Sequence, residues 1–170
     1  MDYKLKVLTE KDLPAIAVLC QEASDYMVLA TGATNPPKEA QDLLTSFPPQ
    51  KRLEDKTLYG IFDSHDTLIG VLDLVRNYPT TKAWMIGLLL LTPKVRGQQI
   101  GEQVHAQIVE QIKSDGGTEI RLGILKNNPR AQEFWERQGY TFQEEKIGTV
   151  AGVLMPVYAF KLSLTQPVQN

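Results

Sequence analysis

The sequence predicts a single mixed α/β domain. Its 170 residues suit one domain of ordinary size, because two domains of half that length would each be unusually small. Hydrophobic residues make up 42% of the chain and charged residues 22%, which is the balance of a folded globular protein. Stretches of two-residue and of helical hydrophobic periodicity alternate along the chain, and no repeat or linker divides them. We therefore expect residues 1–170 to fold as one domain.

The first third of the chain predicts one strand followed by two helices. Alternating apolar residues indicate a strand over residues 3–8, and a capping box that begins at Thr9 opens the helix that follows. The apolar residues of that helix recur at helical spacing, which places Cys20 on its buried side. Proline and glycine then interrupt residues 31–49 and leave room for a short helix over residues 38–44.

Three strands are predicted next. Residues 56–62 and 67–76 are rich in apolar and β-branched side chains, and the Asp-Ser-His-Asp sequence between them supplies a turn. They therefore predict an antiparallel hairpin. Residues 84–91 are apolar on both faces, which is typical of a strand in the middle of a sheet that is covered on both sides.

The rest of the chain alternates helices with strands. An amphipathic helix ends at Gly116-Gly117, with His105 in its middle as a surface or packing residue, and a short helix lies between Pro129 and Gly139. Further strands are indicated near residues 120–124, 140–146 and 154–162. The predicted order is β-α-α-β-β-β-α-β-α-β-β.

Charge and cysteine content argue against several classes of function. Lys and Arg number 18 against 20 Asp and Glu, so the net charge of −2 gives no sequence-wide attraction to nucleic acid or to an anionic membrane. One cysteine allows no intramolecular disulfide, and with two histidines it cannot build a closed Cys/His zinc site. No apolar run approaches the roughly 20 residues of a membrane-spanning helix, and the first residues lack the apolar stretch of a signal peptide. We expect a cytoplasmic protein that needs no metal and binds neither nucleic acid nor a membrane.

The segment from Leu89 to Gly101 carries the clearest chemical signal. A buried strand ends at Thr92-Pro93, a short loop contains Gly97, and an amphipathic helix begins at once. Backbone N–H groups at such a helix start have no partners inside the helix and lie at the positive end of its dipole. Such a turn can bind phosphate or pyrophosphate, although ordinary loop chemistry produces the same pattern. The pattern is neither a Rossmann fingerprint nor a P-loop.

Two motifs together make the chain resemble the GNAT superfamily of N-acetyltransferases, which use acetyl-CoA. The phosphate-loop pattern of that family is Arg/Gln-x-x-Gly-x-Gly/Ala, which the chain matches at Arg96 and Gly101, with Gln99 where the first glycine is usual. Residues 128–140 match a second pattern, Asn-x-x-Ala followed by aromatic residues and Gly-aromatic. The motifs span about residues 84–142, and the surrounding order of elements also fits. The resemblance implies a GNAT-like mixed, mostly antiparallel sheet with helices on both faces.

The resemblance also implies which residues bind acetyl-CoA as co-substrate. The strand before the loop would pair through its main chain with the pantetheine arm, and the loop amides would hold the pyrophosphate. Gln99 would weaken binding only if its position requires positive φ. Asn128 would contact the coenzyme or cap its helix, and Trp135, a tyrosine in many relatives, would form a wall of the coenzyme slot rather than donate a proton. The candidate coenzyme-binding residues are Leu89, Leu90, Leu91, Arg96, Gly97, Gln98, Gln99, Ile100, Gly101, Asn128, Ala131 and Trp135.

The mechanism that the resemblance implies is direct attack of an amine on the thioester carbonyl within a ternary complex. An unperturbed alkyl ammonium has a pKa near 10.4, so some group must accept a proton. The strand before the phosphate loop contains no carboxylate, which leaves Asp73 on the preceding strand as the best-placed candidate. Glu22, Asp25 and Tyr26, near the end of the first helix, are alternatives. Tyr158 could serve as an acid or pack within its strand.

The predicted function is therefore N-acetylation of a primary amine on a small molecule or peptide. A coenzyme A-binding sensor or accessory module with the same fold is the alternative, because Gln99, Trp135 and the missing strand carboxylate depart from the family pattern. Transfer of an acyl group other than acetyl is a third hypothesis. Dimerisation is common among relatives, so a homodimer is compatible with the resemblance, whereas the acceptor is not encoded in any motif.

Overall fold

The computed structural model describes residues 2–150 and 153–165, which form one sheet flanked by helices. The strands are β1 (Lys4–Val7), β2 (Lys56–Phe62), β3 (Leu68–Arg76), β4 (Ala83–Leu91), β5 (Glu119–Leu125), β6 (Thr141–Val150) and β7 (Val153–Ser163). The helices are α1 (Leu13–Glu22), α2 (Ser24–Thr31), α3 (Pro36–Thr45), α4 (Ile100–Ser114) and α5 (Pro129–Arg137). The sheet order is β1-β2-β3-β4-β5-β7-β6, and every neighbouring pair is antiparallel except β4 with β5. The mixed, mostly antiparallel sheet is confirmed.

The segment between β1 and β2 holds three helices rather than the predicted two. The segment Glu10–Glu22 and α2 are bent by 67° at a break that contains the buried Ala23. The apolar residues of α2 run consecutively from Tyr26 to Ala30 and none is fully buried, so the sequence shows no apolar stripe that would have marked it as a separate helix. Among the described helices none is by itself long and apolar enough to cross a membrane, and only this bent pair meets the length and composition together.

The third helix begins earlier than the sequence predicted, because its prolines start the helix rather than break it. Pro36 and Pro37 occupy the first turn of α3, where a missing N–H removes no helical hydrogen bond. The side chain of Asn35 accepts a hydrogen bond from the Lys38 amide at 3.4 Å and caps the helix.

Two apolar cores lie on opposite faces of the sheet. Adjacent β3 residues Val71 and Leu72 are 0% and 1% exposed and belong to different cores, as the alternation of a strand requires. One core joins β3 to the apolar face of α4 and to α5, and the other joins it to α1 and α3. The central strands are therefore buried on both sides where the helices cover them.

The parallel strands β4 and β5 pair over only part of their length. Ala83, Trp84 and Met85 pair with Glu119 to Arg121, and no further pairing joins the two strands in the described chain. Each strand nevertheless stays paired on its other side, β4 with β3 and β5 with β7, up to its carboxyl end. The strands thus diverge and leave main-chain N–H and C=O groups in the middle of the sheet without strand partners.

A β-bulge in β4 lies where the divergence begins. Asp73 of β3 pairs with Leu88, whereas the next residue, Leu74, pairs with Ile86. Gly87 is therefore the extra residue of β4.

Candidate active site

The gap between β4 and β5 forms an open cleft in the middle of the sheet. Its walls are the main chain and side chains of 86–89 on one strand and 122–125 on the other. Trp135 and Asn128 border the cleft from the α5 side, and Tyr26 borders it from α2. Because the strand edges facing the gap have no partners, an extended ligand with amide groups can pair with them as an added strand would.

Beyond the cleft, β4 continues to Leu91 and into the loop that precedes α4. Gly97 and Gln99 in this loop have φ of 77° and 64°, and α4 begins directly afterwards at Ile100. No side chain caps the start of α4 in the described chain. Its first N–H groups are therefore free to bind an anion, with the positive end of the helix dipole directed at it.

Gln99 meets the condition under which a non-glycine residue is unfavourable at this position. Its φ of 64° and ψ of 13° lie in the left-handed region, which costs a residue with a Cβ roughly 1–2 kcal/mol. The side chain is exposed and makes no hydrogen bond that would offset the cost in the described chain. Because the amide of Gln99 remains available, the strain acts on the stability of the loop rather than on its number of donors.

Gly101 allows α4 to lie close to α5. A Cβ at this position would be 3.2 Å and 3.3 Å from two ring atoms of Phe134, a tighter approach than ordinary packing. The side chain of Asn128 caps α5 by accepting a hydrogen bond from the Ala131 amide at 3.2 Å. The phosphate-loop pattern, which ends on α4, and the Asn-x-x-Ala pattern, which includes α5, therefore meet where these two helices are in contact.

The side chain of Arg96 is held by α2. Its guanidinium makes two hydrogen bonds to the carboxylate of Asp25, at 2.6 Å and 3.0 Å, and its Nε donates to the main-chain oxygen of Leu91 at 3.0 Å. The guanidinium lowers the pKa of Asp25. The hydroxyl of Thr92 donates to the carboxylate of Glu22 at 2.9 Å, so the start and the middle of the loop are joined to the α1–α2 corner. Glu22 and Asp25, two of the candidate bases, are already engaged there.

Asp73 does not itself line the cleft, but its carboxylate lies against the bulge residue Gly87, which does. Its Oδ2 is 2.6 Å from the position that a Cβ on Gly87 would occupy, so the carboxylate fills the space that a side chain at residue 87 would need. Lys56 approaches the other oxygen, with Nζ 2.8 Å from Oδ1. Burial raises the pKa of Asp73, and the Lys56 ammonium lowers it in part. Sequence reasoning found Asp73 but missed Lys56, because a lysine at the start of a strand has no local signal.

Tyr26 and Trp135 face the cleft with different chemistry. The Tyr26 side chain is largely buried, and burial raises its pKa, so the phenol stays protonated. Trp135 is 8% exposed and packs edge-on against Phe134, His105 and Tyr140. Its indole therefore forms part of the wall of the cleft and part of the core at the same time.

His105 and Tyr140 form a buried polar pair behind that wall. The Nε2 of His105 lies 2.9 Å from the Tyr140 hydroxyl, and His105 is 5% exposed. Burial lowers the pKa of the imidazole to about 4, so the ring is neutral at physiological pH. The sequence left open whether His105 is a surface residue or a packing residue, and its burial shows that it is a packing residue.

The remaining candidates divide between cleft and sheet. Leu89 lines the cleft with Ala131, whereas Leu90 and Leu91 continue β4 toward the loop, with the Leu90 side chain in the core under α1. Tyr158 packs against Phe142 on β6 and does not line the cleft. The described residues contain no group of three His, Cys, Asp or Glu side chains that could hold a metal ion.

The sequence matches the family model described as the Acetyltransferase (GNAT) family over residues 21–140. That range includes α2, the diverging strands, the loop and α5. No curated protein sequence matches the chain significantly.

Solved structures of similar fold cover almost the whole chain at low sequence identity. An acetyltransferase from Thermus thermophilus has a TM-score of 0.76 at 19% identity, covering 96% of this chain and 97% of its own. The PaiA N-acetyltransferase from Thermoplasma acidophilum, in complex with coenzyme A, has a TM-score of 0.70 at 16% identity, with 96% and 99% covered. An acetyltransferase of the GNAT family from Staphylococcus aureus Mu50 has a TM-score of 0.71 at 11% identity, with 96% and 100% covered. These likenesses extend the fold assignment beyond the residues of the family match.

Proposed function

The chain belongs to the acetyltransferase (GNAT) family, and from this premise we propose that it transfers the acetyl group of acetyl-CoA to a primary amine of a small molecule or peptide. The observation that carries the proposal is the divergence of β4 from β5 near the bulge at Gly87, together with the uncapped start of α4 that follows β4 in the chain. The diverging strands have free edges for an amide-containing arm, and the start of α4 has free N–H groups for a pyrophosphate.

The residues present fit acetyl-CoA as co-substrate. The unpaired main chain of β4 would bind the pantetheine arm, and the amides from Gly97 to Gly101 would bind the pyrophosphate. Arg96 itself is engaged within the protein, because its amide donates to the Pro93 carbonyl oxygen at 3.3 Å and Asp25 holds its guanidinium. Acetyl-CoA supplies the activated acyl group, and the chain supplies its orientation and the proton transfers.

Two side chains beside the cleft are suited to move protons. An ammonium has no free electron pair to attack with, so the acceptor must first lose one proton to solvent; Asp73 would then accept the proton that the nitrogen of the neutral amine gives up as it forms the new bond. Tyr26, protonated and bordering the cleft, would donate a hydrogen bond or a proton to the departing thiolate. This second step needs little help, since a thiol titrates near 8.5. A main-chain N–H of 89–91 would hold the tetrahedral oxyanion.

The test is an acetyl-transfer assay with a panel of amines, read as free thiol released and as acetyl mass added to the acceptor. We expect Asp73→Asn to lower kcat/KM by roughly 10²–10⁴-fold, the usual contribution of a general base. Tyr26→Phe should lower kcat by a smaller factor. The matched control is Glu133→Gln, which neutralises an exposed carboxylate on α5 and should leave the rate unchanged.

A coenzyme A-binding module without turnover is the second candidate. It is favoured by the pairing of the carboxylates near the cleft: Glu22 with Thr92, Asp25 with Arg96 and Asp73 with Lys56. Saturable binding of acetyl-CoA without transfer to any amine of the panel would establish this second function. Transfer well above the uncatalysed rate would remove it.

A further inference from the structure

Lys56 and Asp73 form an ion pair that is almost completely removed from solvent. The side chain of Lys56 is 2% exposed and that of Asp73 15% exposed, with Nζ and Oδ1 2.8 Å apart. In the register of β2 and β3, Lys56 lies opposite Val75, and Leu58 lies opposite Asp73. The two charged residues are therefore diagonal neighbours on the same face of the hairpin.

The pair is a costly way to fill this part of the core. Removing an ammonium and a carboxylate from water is offset only partly by their attraction, and apolar side chains of similar volume commonly stabilise a fold as well or better. The surrounding face is apolar, with Leu58, Val71 and Leu88 in the same core. A buried charge pair beside an open cleft is more readily explained by a role in chemistry than by stability.

The two oxygens of Asp73 face different neighbours. Oδ1 lies against the ammonium of Lys56, whereas Oδ2 lies over Gly87, where a Cβ would come within 2.6 Å of it. Gly87 is both the bulge residue and part of the cleft lining. One oxygen is therefore paired with a charge at ion-pair distance, in an approach not aligned as a hydrogen bond, and the other lies against the bulge residue.

We propose that Lys56 is a positioning residue for acetyl transfer, because its ammonium holds the Asp73 carboxylate ionised and directed at the bulge of β4. This inference rests on the proposed function. The amine nitrogen forms its bond to the thioester carbonyl carbon and gives one proton to Asp73, directly or through one water. The carbon–sulfur bond then breaks, its electron pair stays on sulfur, and the thiolate is protonated by Tyr26 or by solvent.

Few charged groups surround Asp73, so Lys56 is the group that can hold its carboxylate ionised. From β4, Gly87 and Leu88 bring no charge, and the neighbouring positions of β3 are apolar. On the covering helices, Glu22 is bonded to Thr92, and one oxygen of Glu39 accepts from the Asn35 amide at the start of α3, while its other oxygen is buried without a hydrogen-bond partner in the described chain. Burial raises the pKa of Asp73, and Lys56 is the charged group that opposes this in the described chain. Without the ammonium, the pKa of Asp73 would rise further, so the carboxyl group would stay protonated up to a higher pH and could not act as a base below that pH.

The test compares the pH dependence of kcat/KM for Lys56→Met and Lys56→Arg with that of the unmodified chain. In Lys56→Met the acidic limb should move to higher pH, with at least a tenfold loss at neutral pH that is recovered in alkaline buffer. Lys56→Arg keeps the charge and should keep the profile. Equal loss at every pH would indicate a merely structural role and would overturn the proposal.

A second readout needs no acceptor. The carboxyl carbon of Asp73, identified by its absence in Asp73→Asn, can be titrated by carbon-13 NMR in the free protein. Its titration should move to higher pH in Lys56→Met; an unmoved titration overturns the positioning role. Should Lys56→Met fail to fold, Lys56→Gln retains a donor without the charge and should show the same shift.

The two proposals fail separately. An active chain with an unchanged acidic limb in Lys56→Met overturns the role of Lys56 and leaves the proposed function standing. A chain that binds acetyl-CoA but acetylates no amine overturns the proposed function, and with it the catalytic use of the pair.

Discussion

Replacing Gln99 by glycine should stabilise the protein, because it removes a Cβ from a left-handed position. Gln99 has φ of 64° and an exposed side chain. The left-handed conformation costs such a residue roughly 1–2 kcal/mol, and glycine avoids this cost. Glycine also has more conformational freedom to lose on folding, which lowers the stability by about 0.5–1 kcal/mol. The net gain is about 0.5–1 kcal/mol, which for a domain of this size raises Tm by roughly 1–4 °C.

Thermal unfolding of Gln99→Gly beside Gln99→Ala measures this effect. Alanine removes the same polar atoms but keeps the Cβ, so it should stay within about 0.5 kcal/mol of the unmodified protein. A Gln99→Gly variant that is no more stable than Gln99→Ala would refute the assignment of strain to this residue.

The affinity for acetyl-CoA provides an independent check of the loop. The strain belongs to the loop itself, so it contributes equally to the free and bound states if the loop keeps its conformation. Calorimetric titration should then give the same dissociation constant for Gln99→Gly and for the unmodified chain. A tenfold change would mean that residue 99 changes conformation when the coenzyme binds.

Three further changes test separate parts of the structure. Burial lowers the pKa of His105 from 6.5 to about 4, so between these pH values the unfolded chain binds the proton more readily than the folded chain. The free energy of unfolding should therefore fall by up to roughly 3 kcal/mol as the pH is lowered from 6.5 to 4. His105→Gln should make the free energy of unfolding depend less on pH in this range. Burial raises the pKa of the Cys20 thiol to about 11, so iodoacetamide should modify Cys20 only as fast as the protein opens, and rapid modification of the folded chain would contradict its burial. Trp135→Phe should weaken acetyl-CoA binding a few-fold while leaving kcat nearly unchanged, because the indole is a wall and not an acid; a loss of kcat as large as that of Asp73→Asn would reverse this assignment.

The strands and the loop were predictable because their signals are local. The apolar run of β4, the glycine at 97 and the amphipathic stripe of α4 each follow from neighbouring residues, and the observed elements match them closely. The break at Ala23 was not predictable, since α2 buries no residue completely and carries no stripe of its own.

The contacts that shape the site join residues far apart in the chain. Arg96 meets Asp25 across 71 positions, so the loop motif alone could not reveal that its arginine is engaged by a helix. Lys56 meets Asp73 through the diagonal register of a hairpin, which is determined only once the turn and the strand ends are known. Conversely, the sequence alone identified Gln99 as a departure from the loop motif that would matter only at positive φ, and its φ is 64°.

The proposed function and the proposed role of Lys56 both require that acetyl-CoA binds to the loop and the diverging strands. Titration calorimetry with acetyl-CoA should show one saturable site per chain, and Gly101→Arg should abolish it by placing a side chain against Phe134, at the start of the helix where we propose that the pyrophosphate binds. Gln103→Arg adds the same charge on an exposed position of the same helix and should bind normally, with circular dichroism confirming that both variants fold. Absence of binding to the unmodified chain, or undiminished binding to a folded Gly101→Arg variant, would contradict the account.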